Sequence, residues 1–119
     1  MLMPATRFLA AAGFGFSLML AGLPAGAEEG GYELRIKDHH FDPAEFTLPA
    51  DKKVKLLVKN LDPTPEEFES IELHREKVIP AGSEIIIFIG PLQPGIYEFF
   101  GDFNPQTARG HITVKGEQK

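Results

Sequence analysis

Proline and glycine interrupt this chain at spacings of about 8 to 15 residues between Tyr32 and Lys115, and this punctuation limits what it can fold into. The breaks are Asp42-Pro43, Pro63-Thr64-Pro65, Pro80-Ala81-Gly82, Gly90-Pro91 and Pro94-Gly95. No stretch between them sustains helical periodicity; HREKVIP (74–80) has room for one helical turn at most. The intervals carry strand patterning instead: Tyr32-x-Leu34-x-Ile36, Phe46-x-Leu48, KVKLLVKN (53–60), EFESIEL (67–73), SEIIIFIG (83–90), Tyr97–Phe100 and His111–Lys115. These signals imply an all-β fold, an antiparallel sandwich or Greek-key barrel of about seven or eight strands.

The first 27 residues differ from the rest. MLMPATR carries one positive charge, Arg7; residues 8–23 are apolar and uncharged; Ala25-Gly26-Ala27 supplies small residues. That order is the order of a secretory signal peptide, with cleavage expected after Ala27. The apolar run is shorter than the roughly 20 residues of a membrane span, although an uncleaved N-terminal anchor is the alternative. The expected organisation is therefore a signal peptide at 1–27 and one exported, periplasmic domain at 28–119. Its 92 residues suffice for a single two-sheet core. Losing Arg7 takes the formal net charge from −5 to −6. An acidic exported domain suits cations, and is a poor partner for nucleic acid or anionic lipid.

Sulfur is absent after the signal. The chain has no cysteine, and its three methionines are Met1, Met3 and Met19. Disulfides cannot stabilise the domain, and a blue-copper centre, which needs a thiolate and two imidazoles with a weak axial ligand, is excluded. Oxygen donors are plentiful instead: EEFESIELHRE places Glu66, Glu67, Glu69, Glu72 and Glu76, and Asp102 follows Gly101. On a strand, Glu67 and Glu69 project together, opposite Phe68. Carboxylates converging there suit Fe³⁺, Fe²⁺ or Mn²⁺, or Cu²⁺ if His39, His40 or His74 adds an imidazole. Each residue also has a plainer reading: a solvated strand face for Glu67 and Glu69, an ion pair with Arg75 or Lys77 for Glu76, a turn for Asp102, a surface histidine for His39. Glu72 reads as solvated and His111 as structural. A serine hydrolase does not fit, because the domain's two serines, Ser70 and Ser83, lie outside any G-x-S-x-G turn.

Four stretches together resemble the cupredoxin family: IKDHHFDPAEFTLPADKKVKLLVKN (36–60), PEEF (65–68), IPAGSEIIIFIGPLQPGIYEFF (79–100) and YEFFGDFNPQTARGHITV (97–114). The resemblance implies the cupredoxin sandwich but not its metal centre. Glu66 stands where the first histidine ligand would be, Gly101 at the cysteine position, Asn104 or Gln106 near the second histidine, and Ala108 at or near the axial methionine. KDHHFDP, PEEFES, REKVIPAG and FFGDF are similar to a narrower branch, the periplasmic cupredoxin-domain proteins associated with Ftr1-type iron permeases and with the EfeO iron-uptake proteins. That branch implies candidate metal ligands at Glu67, Glu69 and Glu76, with Asp102 and His39 at or beside the site. It implies an iron or copper ion as cofactor and a membrane iron permease complex as partner. The expected function is a metal-binding accessory of iron uptake, aiding Fe²⁺ oxidation or delivery and at most an enzyme with a partner. The alternative is a metal-free interaction module that docks on a membrane or exported partner.

Overall fold

A computed structural model describes residues 31–116, so the signal peptide at 1–27 and its cleavage point lie outside the described residues. Among these residues there is no helix and there are nine strands: β1 (Tyr32–Lys37), β2 (His40–Asp42), β3 (Glu45–Pro49), β4 (Val54–Asn60), β5 (Glu66–Ser70), β6 (Arg75–Ile79), β7 (Glu84–Ile89), β8 (Gly95–Gly101) and β9 (Arg109–Lys115). They form two sheets, β3-β9-β8-β5-β6 and β2-β1-β4-β7. The all-β sandwich is as the punctuation implies.

Two features depart from the sequence reading. The sheets are mixed, since β1 pairs parallel with β4 and β9 pairs parallel with β3. Parallel neighbours need a crossover between them, and here β3 is part of it, leaving one sheet to pair in the other before β4 returns. HREKVIP is a strand, not a turn: β6 pairs antiparallel with β5 over five residues, from Glu66↔Ile79 to Ser70↔Arg75. EFESIEL therefore ends as a strand at Ser70, and residues 71–74 turn the chain into β6, with His74 left-handed at φ 57°.

Alternation along each strand supplies the core. Leu34, Ile36, Leu56 and Val58 enter from one sheet, and Leu48, Phe68, Ile79, Phe99, Ile112 and Val114 from the other, all buried. At the centre Phe41 meets Phe99 edge-on at 5.0 Å, and Phe68 stacks on Phe99 at 5.2 Å. Offset and edge-on aromatic pairs add to what area burial alone contributes.

One buried polar network fixes the loop end. Asn60 Nδ2 donates to the carbonyls of Thr64 (2.8 Å) and Ile79 (3.0 Å), and Asn60 Oδ1 accepts the Asp62 N–H at 3.0 Å. The Asp62 carboxylate accepts the N–H groups of Asp38 (2.6 Å) and His39 (2.9 Å). Asp38 and His39 are both left-handed (φ 53° and 62°), the conformation of a tight hairpin turn between β1 and β2. Asn60 and Asp62 thus tie the β1–β2 hairpin to the segment that delivers β5.

Replacing Phe99 by alanine removes the ring that touches Phe41, Phe46 and Phe68. The expected loss is about 3–5 kcal/mol of unfolding free energy, measured by urea denaturation against the unsubstituted protein.

Candidate metal centre

The site is built on β5. Phe68, with Glu66 and Ser70, faces inward, and all three are buried. Glu67 and Glu69 take the other parity and project from the outer face of the sheet. On that face Glu67 lies opposite Val78 and Glu69 opposite both Glu76 on β6 and Phe100 on β8.

The inner side answers what has become of the loop-end ligand positions. Glu66, Gly101, Asn104 and Ala108 do converge there. A Cβ built on Gly101 would stand 2.7 Å from Glu66 Cδ and 2.8 Å from the Ala108 side chain. Glu66 Oε2 accepts from Asn104 Nδ2 at 2.6 Å, and Oε1 accepts the N–H groups of Phe103 (3.0 Å) and Glu67 (2.9 Å). The space is thus filled by a carboxylate, 1% exposed, that accepts from three donors. It offers neither thiolate nor imidazole, so the residues present do not fit a blue-copper ion.

The outer side is different. Oxygens of Glu67, Glu69 and Glu76 can all be taken within 4.8 Å of one another. Glu67 is only 5% exposed, Glu69 is half-buried and Glu76 is exposed. No described ion pair reaches the three. Arg75, a candidate partner for Glu76, is instead drawn across to the other sheet, where Nε and Nη2 donate to the Phe88 carbonyl at 3.2 and 2.9 Å. Burial, a hydrogen bond with the Glu76 carboxyl, and the charges of Glu76, Glu69 and Asp102 push the Glu67 carboxyl up to about 7. Desolvation, then the charges of Glu76 and Asp102, raise Glu69 as well. Without a cation the cluster is under mutual repulsion, and a proton or a metal ion relieves it.

Of the sequence candidates, Glu67, Glu69 and Glu76 come together. Asp102 lies close enough for its charge to act on Glu67 and Glu69, but it is outside the tight group. His39 is not brought in: it belongs to the β1–β2 turn, its N–H on Asp62 and its Nδ1 3.6 Å from Asp62 Oδ2. Burial alone would raise Asp62, but the His39 and Asp38 N–H groups hold it below the usual carboxylate range. His40 turns its Nδ1 to the Asp38 carbonyl at 2.8 Å. His111 lies in β9 between Glu45 and Glu98 of the neighbouring strands. Glu72 does more than meet solvent, since Oε1 accepts the Glu98 N–H at 2.7 Å. Glu66, expected only as the residue at the first histidine position, is a buried acceptor, and Asp62 was not among the candidates at all. Glu66 shares the parity of Phe68, and that alone could have placed it inside.

This is a cupredoxin sandwich whose loop-end cage is closed by a glutamate. The family model described as "Cupredoxin-like domain" matches residues 9–114, and the chain belongs to that family. An uncharacterised protein of Rickettsia prowazekii (strain Madrid E), RP394, is 48% identical over 82 residues, which are 69% of this chain and 66% of that protein's length. Among solved structures, the metal-binding domain of the Streptococcus pneumoniae D39 Cu(I)-exporting P-type ATPase CopA matches with a TM-score of 0.66 at 20% identity, covering 76% of this chain and 92% of its own. Auracyanin A, a blue copper protein of Chloroflexus aurantiacus, matches at 0.62 and 12%, covering 71% and 98%. Amicyanin of Paracoccus versutus matches at 0.58 and 17%, covering 80% and 87%. At these identities the structures speak for the fold.

The raised Glu67 carboxyl has a signed consequence for stability. Its folded value, about 7, lies above the unfolded 4.5, so the folded state holds the proton more tightly and stability from this group falls as pH rises from 4.5 to 7. Glu67→Gln, measured by urea denaturation from pH 4.5 to 8 without metal, is expected to flatten that decline relative to the unsubstituted protein. An unchanged slope would mean Glu67 titrates as an ordinary carboxylate.

Proposed function

We propose that this protein is a periplasmic accessory of an iron uptake system that binds an iron or copper ion on the outer face of β5 and β6. The observation that carries this is the convergence of Glu67, Glu69 and Glu76 with no ion pair to any of them among the described residues. A buried carboxylate is costly unless it is paired, protonated or bound to a metal. A cation placed between the three would reverse the repulsion that raises Glu67 and Glu69.

The donor set favours harder ions. Three carboxylates suit Fe³⁺, Fe²⁺ or Cu²⁺ better than Cu⁺, which prefers sulfur. The Streptococcus domain is described with Cu(I), and shared fold supports a metal role here without fixing the same ion. Asp102 adds negative charge at the border of the site, and His39, held by Asp62, stands outside it. Carboxylates also stabilise Fe³⁺ over Fe²⁺. If Fe²⁺ is oxidised there, it loses one electron to a partner or to bound Cu²⁺, which becomes Cu⁺. Export to the periplasm rests on the Arg7, apolar and Ala-Gly-Ala order of the leader. A membrane iron permease complex is the partner this reading implies.

A second reading has its own observation. The loop-end cage is closed, Val78 stands about half exposed opposite Glu67 on the acidic face, and Phe103, next in sequence to Asp102, is also about half exposed. A metal-free module docking on an exported partner through that face would look the same.

Calorimetric titration with Cu²⁺ and with Fe³⁺-citrate, beside the double variant Glu67→Gln/Glu69→Gln, separates the two. Metal binding predicts one-to-one uptake in the unsubstituted protein and a loss of about 100-fold or more in the variant. If neither ion bound, the docking module would be the surviving reading.

A further inference from the structure

We propose that Glu66 is a positioning residue for the carboxylate centre: from the inner side of β5 it holds the 101–108 loop so that Asp102 stands beside Glu67 and Glu69. This rests on the cation-binding reading of that centre and assigns Glu66 no contact with the ion.

The loop is closed on itself by backbone bonds. Gly101 N donates to the Ala108 carbonyl (2.8 Å), Asn104 N to that of Gly101 (3.0 Å) and Ala108 N to that of Asn104 (2.9 Å). What ties its tip to β5 is Glu66, through the Phe103 N–H at 3.0 Å and Asn104 Nδ2 at 2.6 Å. Asp102 lies between two fixed neighbours. Gly101 is paired with Phe68 across the β8–β5 ladder, and Phe103 is bonded to Glu66. No described hydrogen bond holds the Asp102 side chain itself, so its place is set by those neighbours. The antiparallel register that pairs Glu69 with Phe100 and Phe68 with Gly101 sets the next residue, Asp102, beside Glu67. Glycine at 101 belongs to the same device, because a Cβ would run into Glu66 Cδ at 2.7 Å. With three bonds to donors and almost no exposure, Glu66 is already satisfied by the protein and turned away from the outer face.

The polarity of the Glu66–Asn104 bond gives the test. Asn104→Asp sets two carboxylates against each other in a buried place, displacing the loop tip. Glu66→Gln added to it restores a bond in the opposite sense, the glutamine amide donating to Asp at 104 while its Oε1 still accepts from Phe103. Titration of the full chain with Cu²⁺ should show affinity about 10- to 100-fold lower in Asn104→Asp, as for other groups behind a ligand shell. The double variant should recover it. A double-mutant cycle with Asp102→Asn isolates the route: without the Asp102 charge, Asn104→Asp should change affinity little. Amide exchange at Phe103, faster in Asn104→Asp and slowed again in the double variant, reports the clamp without metal. Should Asn104→Asp fail to fold, Asn104→Ala takes its place in the cycle. An undiminished effect in the Asp102→Asn background, or no recovery in the folded swap, overturns the positioning role alone. If the unsubstituted chain takes up no Cu²⁺ or Fe³⁺, the cation-binding reading falls first, and the positioning role falls with it.

Discussion

Alternation along the five residues of β5 sends Phe68 into the aromatic core, Glu66 into the loop-end cage, and Glu67 and Glu69 to the outer face. A shift of one residue would exchange the two sets, placing Glu67 and Glu69 against Phe41 and Phe99 and turning Phe68 to solvent. Burying two unpaired carboxylates costs several kcal/mol each, and losing Phe68 from the core adds to it. The register is further held from both ends. Asn60 and Asp62 fix the approach to β5, and β6 pairs with every one of its residues.

Adjacent glutamates on this strand show how environment assigns roles to one residue type. The Glu66 carboxylate accepts three hydrogen bonds, two of them from backbone N–H groups, and so is satisfied by the protein. Glu67 is nearly as buried, but what surrounds it is Glu76, Glu69 and Asp102, all acidic. Nothing in the described protein neutralises it, so it holds a proton to about pH 7 or takes a cation. The contrast explains why the inner site is structural and the outer one is the place to look for chemistry.

Much of the sandwich could be read from the sequence, because proline and glycine breaks and period-2 alternation are local signals. The paired projection of Glu67 and Glu69 followed from the same parity. Glu76 joined them only through β6, which the residues HREKVIP conceal: Glu76, Lys77 and Val78 are all exposed, so this edge strand shows no alternation. The parallel pairings of β1 with β4 and β3 with β9 are set by a crossover, which leaves no periodic trace. His39 looked like a ligand by type and by its place near the loop end. What removes it from the cluster is Asp62, 23 residues away, which captures its N–H. Arg75 likewise leaves Glu76 for a carbonyl of the opposite sheet. Such long-range competition is invisible to spacing.

Both the closed cage and the outer carboxylates are built on β5. A cysteine at position 101 could not be accommodated while Glu66 stays, since its Cβ would fall 2.7 Å from the Glu66 carboxyl carbon. A histidine at 66 would leave the Phe103 N–H and the Asn104 amide without the carboxylate that now accepts from both. The cage positions are therefore interdependent, and moving one toward a copper ligand loosens the loop that carries Asp102. A thiolate-imidazole centre inside and a carboxylate centre outside thus make opposed demands on the same strand and loop. Glu66, bonded as it is, excludes the first.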